Sequence, residues 1–217
     1  MKVPGLWNQF VCAAVLALGF STSAASETCL VNKVYSGTTI KVIYPDGKKE
    51  RVRYIGIDSP SKGKPFYDLC VSANKALVEN KNITLTTDVA LVAPDEKKLC
   101  YVYQDAVFVN AELIKNGYAL AHILPPNERY RELFIGLQKE ARTHRRGLWA
   151  YEDHNDEPYY VGSRSDKVFH RPSCSHVKNI PFHDRIIFRT RDDCLNEGYT
   201  QDWRCCPLFV KPFESKP

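Results

Sequence analysis

Thr38–Ile57, TTIKVIYPDGKKERVRYIGI, carries two strand-like runs joined by a turn. Thr38–Tyr44 alternates polar and apolar residues for part of its length, and Asp46-Gly47 is a hairpin turn signal. Lys49–Ile57 resumes the alternation, with Val52, Tyr54 and Gly56 on one face. With Leu30–Tyr35 ahead of them, these segments predict three consecutive antiparallel strands. A helix over Tyr67–Glu79 follows, with Leu69, Ala73 and Leu77 at i, i+4 and i+8. Two more strands are expected at Ile83–Asp88 and Leu99–Gln104. A short helix runs from Asn110 as N-cap to Gly117 as the residue past its end, presenting Leu113 and Ile114 to a core. A longer one begins after Pro125-Pro126-Asn127, carries the stripe Tyr130, Phe134, Leu137 and Ala141, and stops at Gly147. Five strands with a helix between the third and fourth is the order of an OB-fold barrel, here with two further helices, in the α+β class.

Outward from this core, Met1–Ala25 holds one charge, Lys2, then the apolar run Phe10–Phe20 and the small residues Ser23-Ala24-Ala25. That order is the n-region, h-region and cleavage site of a secretory signal, so export to the periplasm or medium is expected. The run is short for a bilayer span, and no later segment approaches about 20 apolar residues, which excludes a polytopic membrane protein. No lipobox precedes Cys29, so a lipid anchor is not expected there.

Charge is unevenly distributed. Ser26–Tyr151 holds nineteen basic and fourteen acidic residues, whereas Glu152–Pro217 holds ten and eleven. Attraction for nucleic acid or another polyanion therefore belongs to the first segment, and the surplus permits such a partner without demanding one. Aromatic residues could stack bases, but Tyr101, Tyr103, Tyr118 and Tyr130 are read as half-buried packing. The basic run Arg142-Thr143-His144-Arg145-Arg146 is read as a helix end whose cations complement the dipole.

Glu152–Pro158, EDHNDEP, has no apolar periodicity and reads as a linker. Residues 26–151 and 159–213 are accordingly expected to be separate domains. In the second, Lys167–His170 and Arg185–Arg189 read as strands. Thr190–Glu197 reads as a helix with Thr190 as N-cap, Asp193 three residues on and Gly198 as its stop. Seven cysteines follow Ala25, and in an oxidising compartment disulfides are the first expectation, the odd count leaving at least one thiol over.

The phrases Ser36-Gly37-Thr38-Thr39, Arg53-Tyr54-Ile55-Gly56-Ile57-Asp58-Ser59-Pro60, Val109-Asn110-Ala111-Glu112-Leu113, Asn116-Gly117-Tyr118-Ala119 and Gly147-Leu148-Trp149-Ala150 resemble, in that order, the staphylococcal nuclease (thermonuclease) family. The resemblance covers about Leu30–Tyr151. It implies a phosphodiesterase acting on DNA and RNA with one Ca²⁺, a glutamate that activates water, and two arginines that clamp the phosphate. By the same resemblance Arg53 is the first clamping arginine and Asp58 one calcium-ligating aspartate. Ser59 stands where a threonine gives its main-chain carbonyl to the metal.

The remaining positions depart from the pattern. Thr38 sits where the second metal-binding aspartate is usual, Ser61 where the general-base glutamate follows the proline, and Lys97 where the second arginine belongs. The calcium site loses a full charge, Ser61 cannot take a proton near neutral pH, and Lys97 keeps charge without the bidentate fork. Losing a base alone costs about 10²–10⁴ in rate. The expectation is a nuclease fold with absent or very weak family-type catalysis, retaining nucleic-acid or polyanion binding. The alternative is an active calcium-dependent nuclease in which Asp95, Glu96 or Asp68 supplies a relocated carboxylate.

In the C-terminal segment, Phe169-His170-Arg171-Pro172-Ser173-Cys174, Gly198-Tyr199 and Cys205-Cys206-Pro207 resemble a small Ada-type metal-binding module. That resemblance implies a zinc site, here from His170, Cys174, Asp202 and Cys205, with Asp202 in a cysteine's place. Two disulfides among Cys174, Cys194, Cys205 and Cys206 are the simpler staple for so short a segment.

Overall fold

The structure, a computed structural model, describes residues 26–153, 157–204 and 209. The signal-like segment 1–25, linker residues 154–156, and Cys205 and Cys206 lie outside the described residues. No helix among the described residues is long and apolar enough to cross a membrane.

Five strands close a barrel: β1 (Ser26–Ser36), β2 (Thr39–Ile43), β3 (Lys49–Tyr54), β5 (Asn82–Thr86) and β6 (Lys98–Gln104). β1 is eleven residues long, pairing with β5 through Ser26–Leu30 and with β2 through Leu30–Ser36. Register shifts at Val31/Lys33 and Val34/Ser36 bend it between the two partners, as a closing sheet requires. The parallel pairing of β3 with β6, from Val52↔Lys98 to Tyr54↔Cys100, completes the closure. Alternation explains the interior: Val31, Ile40, Val42, Val52, Tyr54, Leu85 and Val102 are all buried. The expected OB-fold barrel with helices is therefore the observed architecture.

Between β3 and α1 (Tyr67–Val78), β4 (Ile57–Asp58) forms after a turn at Gly56 and pairs with β8 (Leu120–Ala121). Gly56 has φ +75°, and a Cβ there would come within 2.6 Å of the Phe134 ring, so only glycine fits. α1 presents Cys70, Asn74 and Val78 to the barrel. Of the expected stripe, Ala73 and Leu77 pack half-buried beside these residues against the core, and Leu69 is exposed. Asn74 takes the centre of the buried face: it accepts from the Tyr54 hydroxyl at 2.9 Å and donates to the Ser36 carbonyl at 2.9 Å.

β7 (Val107–Phe108) leads into α2 (Val109–Lys115), and α3 (Arg131–Thr143) packs against α2. Leu113 and Ile114 are buried as expected. Asn110 is not an N-cap. It lies inside α2, fully buried, accepting from the Val102 N–H and donating to the Ile55 carbonyl, both at 2.9 Å. Its polar groups close two main-chain sites the barrel leaves open. Tyr101, Tyr130, Phe108 and Phe134 pack edge-on or tilted, and the hydroxyls of Tyr103 and Tyr130 meet at 3.0 Å, which is the packing role expected of these tyrosines.

The C-terminal segment forms a four-stranded sheet, β11-β9-β10-β12, from β9 (Tyr160–Ser163), β10 (Val168–His170), β11 (Arg185–Phe188) and β12 (Thr200–Gln201), with α4 (Arg191–Asn196) beside it. Thr190 and Asp193 form the expected capping box. The segment packs directly on the first: Tyr160, Phe169, Phe188 and Tyr199 share a core cluster with Leu148 and Trp149. The Ile123 N–H donates to the Gly198 carbonyl at 2.9 Å across the junction. Gly198, at φ +74°, permits this approach, since a Cβ would meet Ile123 at 2.8 Å.

Candidate functional site

The turn at Gly56 and the short β4–β8 ladder put Asp58 opposite Leu120 at the barrel rim, next to Arg53 near the end of β3. Arg53, Asp58, Ser61, Lys64 and His122 form one side of a cleft of about 390 Å³. Thr200–Arg204, running out of β12, forms the other. An Arg53 Nη lies 3.8 Å from Asp58 Oδ1. Trp203 Nε1 donates to Asp58 Oδ2 at 2.7 Å, linking residues 145 apart in the chain. His122 is fixed from both sides, its amide donating to the Gly56 carbonyl and its Nε2 lying 2.7 Å from the Asp166 carbonyl.

Of the positions that the resemblance implies as metal ligands, Thr38 and Ser59 meet each other, while the Asp58 carboxylate is held by Arg53 and Trp203. Thr38 and Ser59 are buried, their hydroxyl oxygens 3.4 Å apart, and Thr38 takes its amide partner from Ser36. Asp58 is the one carboxylate among Thr38, Asp58 and Ser59, and one of its oxygens already accepts from an indole. Calcium prefers six to eight oxygens, with carboxylates setting the affinity. Among the described residues no three His, Cys, Asp or Glu side chains converge to hold a metal. The donor set does not fit a resident calcium ion, although the ion would supply charge neutralisation at the phosphate if held here.

Ser61 is exposed on the cleft wall. Lys97 does not join Arg53 in the cleft; it ion-pairs with Asp95. That hydrogen bond, against a small burial penalty and with help from the charges of Lys97 and Arg53, lowers the Asp95 carboxyl below its ordinary value. Asp95 is thus ionised, near enough to feel Arg53, and engaged. Glu96, at φ +63°, is exposed in the turn before β6, and Asp68 is exposed in the first turn of α1.

In the C-terminal segment His170 Nδ1 lies 3.6 Å from Cys174 Sγ and 3.5 Å from Asp202 Oδ2, so three of the four residues read as zinc ligands are neighbours. Cys174 is disulfide-bonded, which leaves no thiolate at that position. Both Asp202 oxygens accept from Arg204, at 2.7–3.1 Å. Burial pushes the Asp202 carboxyl up, but the Arg204 hydrogen bonds and charge outweigh it and hold the group below its usual range. Cys194 keeps a thiol, with Sγ 3.5 Å from the Thr190 carbonyl, which corrects the expectation of two bridges among the four cysteines. Cys29, Cys70 and Cys100 are free and buried. Burial pushes each thiol up to about 12, so none is a nucleophile.

Sequence reasoning passed over Lys64, His122, Trp203 and Arg204. Trp203 and Arg204 had no local signal, because what places them is the fold-back of β12 alongside β10, through Val168↔Thr200 and Phe169↔Gln201.

Residues 51–151 match the family model described as Staphylococcal nuclease homologue. The chain is 34% identical over 135 residues to the Thermonuclease of Staphylococcus intermedius, covering 59% of this chain and 80% of that protein. It is 33% identical over 130 residues to Endonuclease YncB of Bacillus subtilis (strain 168), covering 55% and 60%. Over 148 residues it is 29% identical to the SPbeta prophage-derived endonuclease YokF of the same organism, covering 64% and 49%. The family match ends at Tyr151, so the cleft's second wall lies outside it. With the barrel, the rim residues and these similarities in hand, the chain belongs to the staphylococcal nuclease family.

Proposed function

We propose that this chain is an exported member of the family that binds single-stranded nucleic acid, or a like polyanion, at the rim of its barrel and hydrolyses it weakly or not at all. The observation that carries the reading is the state of Asp58: one carboxylate where the family pattern has two, with Arg53 beside it and Trp203 bonded to it. Arg53 can still pair with a phosphate oxygen, and Ser61 can donate a hydrogen bond to one. Neither takes a proton from water near pH 7, so the groups that remain bind and orient without activating a nucleophile. The C-terminal segment, stapled through Cys174, then serves as a stability element and as part of the cleft. The residues favour that staple over the implied zinc site, since Cys174 is bridged and Asp202 is saturated by Arg204.

The second reading, a calcium-dependent nuclease with a relocated carboxylate, draws on Asp95, whose ionisation is favoured by Lys97 and by Arg53. Residues 26–217 carrying Thr38→Asp with Ser61→Glu separate the two readings. Gain of calcium-dependent cleavage by at least about 10² over the natural sequence supports a lost constellation, since a base alone is worth about 10²–10⁴. Equal and strong cleavage by both proteins, abolished by Asp95→Asn, would favour the relocated carboxylate.

A further inference from the structure

The family's barrel has lost one of its two clamping arginines, because Lys97 is turned to Asp95. Yet the cleft beside Arg53 is not short of cations. Lys64 reaches it from the loop before α1, and Arg204 reaches it from the far wall. The acids in the cleft are spoken for: Asp58 by Arg53 and Trp203, and Asp202 by Arg204. Lys64 forms no ion pair among the described residues, so its charge is left over for a ligand. Arg204 has a side chain 60% exposed, with guanidinium donors beyond the two bonded to Asp202.

We propose that Lys64 and Arg204 join Arg53 in a phosphate-binding subsite for single-stranded nucleic acid, with one wall made by the C-terminal segment rather than by the barrel. The inference rests on the nucleic-acid reading above and adds to it the residues that hold the strand. Two walls and a cavity of about 390 Å³ make a pocket of small-ligand size, where pockets run about 300–1,000 Å³. A space of that kind admits a strand by its unpaired nucleotides and leaves a duplex outside. Phosphate binding by convergent cations is sequence-independent, which is the usual mode for single strands. Asp202 acts as a positioning residue: its two bonds to Arg204 fix the guanidinium at the cleft mouth.

The test is fluorescence anisotropy with a labelled ten-residue oligothymidylate in chelator, from 50 to 200 mM salt, using residues 26–217. Lys64→Ala and Arg204→Ala are each expected to weaken binding several-fold. Each should also flatten the slope of log K against log salt by about 0.7, the contribution of one phosphate contact on a single strand. Arg204→Lys should keep the slope, and it guards against Arg204→Ala acting through a misfolded wall. Lys178→Ala, a cation outside the cleft, should change neither quantity. Binding and slope unaltered in both cleft variants would overturn the inference while leaving the nucleic-acid reading intact. Tighter binding by Arg204→Ala, as from a wall that blocks the cleft, would overturn it as well. No binding by the natural sequence would remove both.

Discussion

In the barrel every main strand has two hydrogen-bonded neighbours and encloses aliphatic side chains, whereas the C-terminal sheet is built from strands of two to four residues around a few aromatic rings. In the barrel, polar ties such as Lys98 to both Glu27 oxygens at 2.7–2.8 Å and the buried Asn74 and Asn110 bonds supplement a closed ladder. The C-terminal segment depends much more on polar ties: Arg204–Asp202 within it, and Arg142–Glu152, Arg142–Asp192 and Arg131–Glu197 along its border. The closed barrel does not depend on Thr38, Ser61 or Lys97 for its core, and the cleft takes its second wall from a segment that the family match does not include.

The comparison breaks most readily at Phe134, which is buried against Tyr101, Phe108 and Tyr130 and lies over Gly56. Phe134→Ala is expected to cost about 3–5 kcal/mol by lost transfer and cavity formation. In urea the whole chain should unfold at a lower midpoint, C-terminal segment included, since that segment leans on the barrel. A loss confined to one region would contradict the shared packing. A smaller probe is Thr190→Ala, which removes the cap of α4 and should cost about 1 kcal/mol. Hydrogen exchange at the Asp193 amide should accelerate while β1–β2 amides keep their protection. Equal loss in both would mean the two regions open as one.

The gentlest probe is pH. Burial holds His170 below its ordinary value against the opposing charges of Asp202 and Asp166. Below about 6.5 the unfolded chain takes up a proton that folded His170 resists, so stability falls as pH drops from that value towards the lower folded one. Glu27 and Asp202 are lowered in the fold, Glu27 chiefly by its Lys98 hydrogen bond, and their contribution is present above about 4 and lost only as pH falls further. Between about pH 6.5 and 4.5 the C-terminal segment should therefore loosen before the barrel does. Amide protection factors for Val168–His170 at pH 7.5 and 5 check this, and His170→Gln should abolish the difference. Parallel changes in the barrel amides would count against it.

What the sequence made legible follows the range of the forces involved. The hairpin at Asp46-Gly47, the burial of Leu113 and Ile114, and the Thr190–Asp193 capping box are set within a few residues, and each is found where local chemistry puts it. On α1 the expected residues Ala73 and Leu77 do pack against the core, while Leu69 is exposed and polar Asn74 takes the centre of the buried face by bonding Tyr54 and Ser36. Asn110 was misplaced because its partners lie on another strand and in the loop after β3. In the site, motif alone names Arg53, Asp58, Thr38, Ser59 and Ser61; of these Arg53, Asp58 and Ser61 line the cleft, while Thr38 and Ser59 are buried. Trp203 and Arg204 could not, since only the parallel β10–β12 pairing brings them to Asp58.

We propose that the family fold is kept here while hydrolysis is weak or absent. Single-turnover hydrolysis of labelled single-stranded DNA and RNA by residues 26–217, with millimolar calcium and again with chelator, tests it most directly. Folded protein with cleavage at or near the no-enzyme background, independent of calcium, is the expected result. Fast cleavage that chelator abolishes would contradict it, and would show that the carboxylates missing at Thr38 and Ser61 have been replaced from elsewhere on the rim.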